Sequence, residues 1–114
     1  MSLLNSSLTR LVEPGIYDTT IRFYKEITPK QRPHEDFIRQ PYILVEMLID
    51  NVIVTDRWYA SRIPYLMHCL RHQFRKDYFD CTLSQLLDYA KHHVIRVEVS
   101  YDPRYGQQIS YDTI

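Results

Sequence analysis

The sequence predicts a mainly β fold with helices: a five-stranded barrel with a helical block between its third and fourth strands. Segments in which apolar and polar residues alternate, the period of a half-buried strand, lie on both sides of one long helical stretch. A long polar loop with three prolines follows the first of these segments. The 114 residues suit one domain, so we expect a single domain over 1–114, with residues 1–12 as a loose N-terminal leader.

Predicted strand one covers residues 16–27, directly after the turn-forming pair Pro14-Gly15. Alternation places Tyr17, Thr19, Ile21 and Phe23 on one face, and Asp18, Thr20, Arg22 and Tyr24 on the other. Residues 28–41 then form the loop, where prolines should stop strand pairing.

Predicted strands two and three, residues 42–50 and 52–59, read as a hairpin around the turn pair Asp50-Asn51. The core face of strand two would carry Ile43, Val45, Met47 and Ile49. Its other face holds Leu44 and Leu48, which is unusually apolar for a surface that meets only water. This face could contact a partner, a ligand or the N-terminal leader.

A helical block follows at about 62–93. Its first helix carries apolar residues at intervals of three and four, with Pro64 in the first turn. Thr82 and Gln85 have capping-box spacing and predict the start of a second helix. Predicted strands four and five, residues 94–101 and 107–114, complete the chain.

This order of three strands, helix and two strands is that of the oligonucleotide/oligosaccharide-binding (OB) fold, whose usual binding face is formed by strands one to three and the first loop. Single-stranded nucleic acid is bound by aromatic rings that stack on bases and by cations that meet phosphates. The candidate nucleic-acid-binding residues on this face are Arg22, Tyr24, Lys25, Lys30, Arg32, Arg39, Tyr42, Arg57, Trp58 and Tyr59.

The sequence does not decide whether the side chain of Trp58 points into the core or towards the solvent. Strict alternation puts Trp58 and Arg57 on opposite faces, so both can serve one flat site only if a bulge intervenes. We expect a bend near Asp56 that turns Trp58 outwards; the alternative is that Trp58 completes the core.

The formal net charge is zero, which argues against a protein held to nucleic acid by bulk electrostatics alone. The charges are nevertheless unevenly distributed. Between residues 57 and 76 there are five arginines and lysines and no acidic residue, so a neutral total can include a basic face.

No nucleophile elbow, phosphate loop or paired-carboxylate motif is present, and we expect no enzymatic activity. A pocket in which Asp50, Asp56 or Glu98 converged would reopen that question. His68 and His72 are four residues apart on a predicted helix, a spacing that can bind a metal ion. Together with the two cysteines they nevertheless match no zinc-binding motif. We therefore expect no metal, no cofactor and free thiols at Cys69 and Cys81.

No apolar run approaches the ~20 residues that span a bilayer, so no membrane partner is expected. The first ten residues lack the basic-then-apolar pattern of a signal peptide. We expect a cytoplasmic protein.

Three motifs carry a family resemblance: Pro14-Gly15-Ile16-Tyr17, the run Tyr42 to Glu46 followed by Asp56-Arg57-Trp58-Tyr59, and the helix Ile63 to Leu70. Over residues 13 to about 101 the chain resembles short phage- and mobile-element-encoded single-stranded-DNA-binding proteins with an OB fold. The resemblance implies protection of single-stranded DNA during replication or recombination in a bacterial host cell. Two features depart from that family: the proline-rich first loop, and a C-terminus at 110–114 without a long acidic tail.

The resemblance also implies that replication or recombination proteins are possible partners. A barrel this small covers few nucleotides, and strand five can leave a free edge, so we expect a homo-oligomer. A rival interpretation is a protein–protein interaction module, an assembly subunit or inhibitor with no nucleic-acid role. It rests on the neutral charge and the apolar face with Leu44 and Leu48.

Overall fold

The computed structural model describes residues 11–75 and 80–112. These residues form six strands and two helices in the order β1 Gly15–Thr19, β2 Ile21–Ile27, β3 Tyr42–Ile49, β4 Val52–Tyr59, α1 Ile63–Gln73, α2 Leu83–Ala90, β5 Ile95–Asp102 and β6 Gly106–Ser110. The structure is mainly β with helices, as the sequence predicts.

The strands of the described ranges form two three-stranded antiparallel sheets, in the orders β1-β5-β6 and β2-β3-β4, and no closed barrel. The prediction of a five-stranded barrel with its helical block between strands three and four is therefore wrong. Predicted strand one breaks at Thr20, and its two halves pair with different strands, β1 with β5 and β2 with β3. This division makes six strands and places both helices between the fourth and the fifth.

A β-bulge at Arg22 reverses the side-chain alternation of β2. Ile21 pairs with Met47 and Phe23 with the adjacent Glu46, so β2 contains one residue more than its partner. Ile21 is consequently buried while Phe23 is 44% exposed, although the uninterrupted alternation put both on one face. The predicted facing of Phe23 and Tyr24 is wrong for this reason, whereas Arg22 is exposed as predicted.

The predicted hairpin is confirmed. The ladder between β3 and β4 runs without a shift from the pair Tyr42–Tyr59 to the pair Ile49–Val52. Asp50 and Asn51 connect the strands with φ values of 50° and 62°, the left-handed conformation that two-residue hairpin turns require.

One core cluster joins the two sheets and both helices. Trp58 of β4 is completely buried in it, together with Leu66 and Leu70 of α1 and Leu87 of α2. The predicted capping box is confirmed, because the Thr82 hydroxyl accepts from the Gln85 backbone and the Gln85 side chain accepts from the Thr82 backbone.

The side chain of Gln73 joins the end of α1 to β5 and to the residue that follows β6. Its Nε2 donates to the carbonyl oxygens of Arg96 (2.8 Å) and Tyr111 (2.7 Å), and its Oε1 accepts from the Arg96 backbone N–H (2.7 Å). Three backbone groups outside the helix are satisfied by one amide.

The predicted leader is described only at its end, since residues 1–10 lie outside the described ranges. Val12 is buried in the core, and its carbonyl accepts a hydrogen bond from the Tyr101 hydroxyl. Residue 12 therefore belongs to the folded structure and not to a loose segment.

Predicted strand five ends earlier than expected, because β6 stops at Ser110 and residues 113–114 lie outside the described ranges. Neither of the two described helices has the length and apolar character needed to cross a membrane.

Candidate nucleic-acid interface

The outer face of the sheet β2-β3-β4 brings two tyrosines and an arginine together. Cross-strand pairing sets Tyr42 opposite Tyr59 and Leu44 opposite Arg57, and residues directly opposite each other share a face. The two tyrosine rings have centroids 5.4 Å apart and planes inclined by 51°. The guanidinium carbon of Arg57 lies 4.9 Å from the centroid of the Tyr42 ring, within cation–π distance.

Arg57 has no carboxylate within ion-pair distance in the part of the chain that the structure describes. Its side chain is exposed and its charge is uncompensated locally. A cation stacked on a half-buried ring can meet a phosphate while the neighbouring ring meets a base.

The loop between β2 and β3 forms the second wall of a cleft of about 340 Å³. We call this the aromatic-basic cleft; its lining residues are Pro29, Phe37, Ile38, Arg39, Gln40, Tyr42, Arg57 and Tyr59. Phe37 is 60% exposed and Ile38 is 80% exposed, so large apolar side chains face solvent at its rim. Sequence reasoning missed these two residues, although a phenylalanine and an isoleucine in an otherwise polar loop were the available signal.

Side-chain hydrogen bonds hold this loop in shape. Gln31 Nε2 donates to the Phe37 carbonyl (2.8 Å), and Gln31 Oε1 accepts from the Arg39 backbone (3.0 Å). Arg39 Nε donates to Glu35 Oε2 (2.7 Å), while Arg39 Nη2 donates to Glu35 Oε1, a bidentate pair. The hydrogen bonds from Arg39 lower the pKa of the Glu35 carboxyl, which therefore stays ionised.

Trp58 does not face the cleft. Its indole N–H donates to Asp56 Oδ2 and to the Tyr111 hydroxyl, each at 3.2 Å, and its ring contacts the Tyr111 ring edge-on at 5.2 Å. The expectation of an outward Trp58 is wrong, because the β3–β4 ladder contains no bulge and strict alternation turns Arg57 out and Trp58 in. The core alternative is confirmed, and Trp58 offers no ring for a base.

Tyr24 also lies away from the cleft. Its hydroxyl donates to Asp88 Oδ1 (2.7 Å) and lies 3.2 Å from Ser84 Oγ, so it joins β2 to α2. The ammonium of Lys91 lies 4.9 Å from the Tyr24 ring centroid. The bulge at Arg22 turns this ring towards the helix and not outwards.

The remaining predicted cations do not line the cleft. Lys25 is exposed opposite Leu44, on the same face as Arg57. Lys30 and Arg32 are exposed in the loop, and Arg32 Nε lies 3.9 Å from Glu35 Oε1. Arg22 Nε lies 3.9 Å from Glu46 Oε1. Of the ten predicted residues, the structure therefore brings Arg39, Tyr42, Arg57 and Tyr59 into one cleft.

The opposite end of the same sheet face, near the Asp50-Asn51 turn, is apolar. Leu48 is 42% exposed and pairs with Ile53, which is 52% exposed, and Phe23 is exposed on the neighbouring strand. We call Phe23, Leu48 and Ile53 the apolar patch. One face of the sheet thus carries a basic end and an apolar end.

Within the described ranges, no three or more His, Cys, Asp or Glu side chains are grouped closely enough to hold a metal ion. His68 and His72 line a small cavity of about 120 Å³ with Tyr65, Cys69 and Asp112. Hydrogen bonds with Cys69 and Asp112 raise the pKa of Tyr65 to about 12, so its hydroxyl stays protonated. Neither cysteine forms a disulfide.

The three carboxylates considered for catalysis lie on different elements. Asp50 is in the hairpin turn, Asp56 is part of the buried network with Trp58 and Tyr111, and Glu98 is exposed on β5 in the other sheet. The expectation of a non-enzymatic role stays a prediction.

Comparison of the chain with protein-family models, with curated proteins and with solved structures finds no match. The resemblance to phage and mobile-element single-stranded-DNA-binding proteins therefore also stays a prediction.

Proposed function

We propose that the protein binds single-stranded DNA without sequence preference, through the aromatic-basic cleft. The observation that carries the proposal is the pairing of Arg57 with the Tyr42 ring beside Tyr59, on an exposed sheet face. A base of any sequence can stack on a tyrosine ring, because every base has a π-face. The arginines contribute attraction to the phosphates, which weakens as salt rises.

The size of the cleft suits a short single-stranded segment. Its volume of about 340 Å³ lies at the lower end of the common range for small ligand sites, which suits one base with its phosphate. Lys25 on the sheet face and Lys30 and Arg32 in the loop are exposed cations outside the cleft lining, and each can meet a phosphate of a strand that continues beyond the cleft. The proposed context, replication or recombination of a phage or mobile element, rests on the sequence resemblance alone.

The first test is fluorescence anisotropy with a labelled oligo-dT of about 12 nucleotides, a length within the ~4–16 nucleotides that small binding folds cover. Tyr42→Ala should weaken binding by about 5- to 150-fold, the equivalent of one lost base stack worth ~1–3 kcal/mol. Tyr105→Ala is the matched control, since Tyr105 is an exposed tyrosine in the β5–β6 turn, outside the cleft.

Arg57→Gln should reduce the slope of log affinity against log salt by about 0.7, the value for one phosphate contact on a single strand. Arg104→Gln removes the same charge from the β5–β6 turn and should leave the slope unchanged. Lack of any binding by the wild type at low salt, or equal losses in the cleft and turn variants, would contradict the proposal.

A second candidate function is supported by the apolar patch. Exposed apolar side chains grouped on one sheet face of a small domain commonly mark protein contacts. In this alternative the protein is an assembly subunit or inhibitor and the patch meets a protein partner. The alternative would replace the DNA proposal if Leu48→Ser abolished association with a partner protein while oligo-dT binding was absent in all variants.

A further inference from the structure

The two arginines of the aromatic-basic cleft differ in their electrostatic state. Arg57 has no carboxylate partner among the described residues and stacks on Tyr42. Arg39 is already held by both oxygens of Glu35, which is itself largely buried and also accepts from Gln31 Nε2 (3.3 Å). Only Arg57 therefore presents an uncompensated charge to a ligand that enters.

We propose that Glu35 controls the strength of nucleic-acid binding by occupying Arg39, which becomes a second phosphate-binding residue when the bound strand replaces Glu35. This inference rests on the proposed function and names the regulation of the same cleft. Because a phosphate and a carboxylate bind the same two guanidinium N–H groups, Arg39 can serve only one of them at a time through this edge.

Three further observations fit a replaceable contact. Arg39 lies on the cleft wall, with its guanidinium carbon 5.8 Å from the centroid of the exposed Phe37 ring. Gln31 holds the loop through the Phe37 carbonyl and the Arg39 backbone, so the backbone conformation does not depend on the Arg39 guanidinium alone. Arg32 lies 3.9 Å from Glu35 and can compensate the carboxylate after Arg39 turns to the ligand.

The arrangement also defines the class of ligand. A mononucleotide that stacks on Tyr42 can be met by Arg57 alone, whereas an oligonucleotide carries further phosphates across the loop wall. The Glu35 contact therefore favours a strand over a free nucleotide, since only the strand can compensate for the loss of the ion pair.

The test is a double-mutant cycle on oligo-dT binding with Glu35→Gln, Arg39→Gln and the double variant. Glutamine keeps the size of Glu35 and can still accept from Gln31, but it removes the charge. Glu35→Gln should strengthen binding by about two- to fivefold and increase the salt slope by about 0.7. Arg39→Gln alone should weaken binding less than Arg57→Gln does, because Glu35 already compensates the Arg39 charge before the strand binds. Glu98→Gln on the other sheet is the control for net charge.

The cycle separates the possible results. The inference is supported if the gain from Glu35→Gln disappears in the Arg39→Gln background and is absent for Glu98→Gln. It is overturned if Glu35→Gln does not strengthen binding, if the gain persists without Arg39, or if Arg39→Gln loses as much affinity as Arg57→Gln. Absence of oligo-dT binding by every variant, wild type included, would instead reject the proposed function.

Discussion

Asp56 is a half-buried carboxyl that accepts hydrogen bonds from three groups. Its Oδ2 accepts from the Tyr111 hydroxyl (2.9 Å) and the Trp58 indole (3.2 Å), and its Oδ1 accepts from the Arg57 backbone (2.9 Å). Burial raises the pKa of Asp56, and the hydrogen bonds together with nearby Arg62 only partly oppose that rise. The folded state therefore binds the Asp56 proton more tightly than the unfolded chain does.

This raised pKa predicts a specific pH dependence of stability. A group whose pKa is higher in the folded state stabilises the fold below its unfolded pKa of about 4, and the contribution is lost as pH rises through the folded pKa. The stability of the wild type minus that of Asp56→Asn should therefore be largest in acid and decrease towards neutral pH. Urea unfolding of both proteins between about pH 3.5 and 7 measures this difference in the free energy of unfolding. A difference that increased with pH would contradict the prediction.

Trp58 gives a second prediction at the residue scale, because it is 0% exposed and the only tryptophan of the chain. Trp58→Ala should lower the free energy of unfolding by about 3–5 kcal/mol, whereas Trp58→Phe should cost less because most of the ring volume is kept. Oligo-dT should not quench the fluorescence of the wild-type indole by stacking. Strong quenching on DNA binding would show that the ring is reachable, contrary to this packing.

At the scale of elements, local chemistry explains which predictions succeeded. The hairpin depends on two turn residues and on alternation within two short strands, and α2 depends on a reciprocal cap between Thr82 and Gln85. Each signal lies within a few residues of the structure that it predicts. Because no distant contact can overrule such signals easily, the sequence was sufficient for both elements.

The errors at this scale have a different origin. A bulge adds a residue to one strand in response to its neighbour, and nothing in the segment from Ile21 to Tyr24 marks its position. The facing of Tyr24 was consequently mispredicted. For the cleft, strict alternation would have put Arg57 and Tyr59 on one face, but the expected bend near Asp56 replaced it and was wrong. The contribution of Phe37 and Ile38 depends on how the loop folds back.

At the scale of the whole molecule, closure of the barrel failed as a prediction because it required a pairing between distant strands. In the described ranges β4 pairs only with β3 and β6 pairs only with β5, so each presents an edge. The residue preferences within one strand do not show whether its edge pairs with the edge of a distant strand. An unpaired edge is a surface on which another strand can pair.

These edges predict self-association at high micromolar concentration. A charged residue on the edge strand that pairs between copies should prevent that pairing and lower the mass measured by light scattering. We therefore expect one of two variants, Thr55→Lys on β4 or Gln108→Lys on β6, to be monomeric, depending on which edge pairs. Ser100→Lys is the control, since Ser100 is exposed on β5, the central strand of its sheet. A wild type that is strictly monomeric at that concentration would contradict the prediction.

The bulge in β2 has a consequence for how this chain can vary. Arg22 has no cross-strand partner in the ladder, so many side chains should be acceptable at that position. Deleting Arg22 would make Phe23 follow Ile21 directly, so that the pairs Ile21–Met47 and Phe23–Glu46 would form a regular ladder with the same two faces. Phe23 would stay outside and Tyr24 would still point towards Asp88. Among variants of this protein, position 22 should therefore accept both substitution and single-residue deletion.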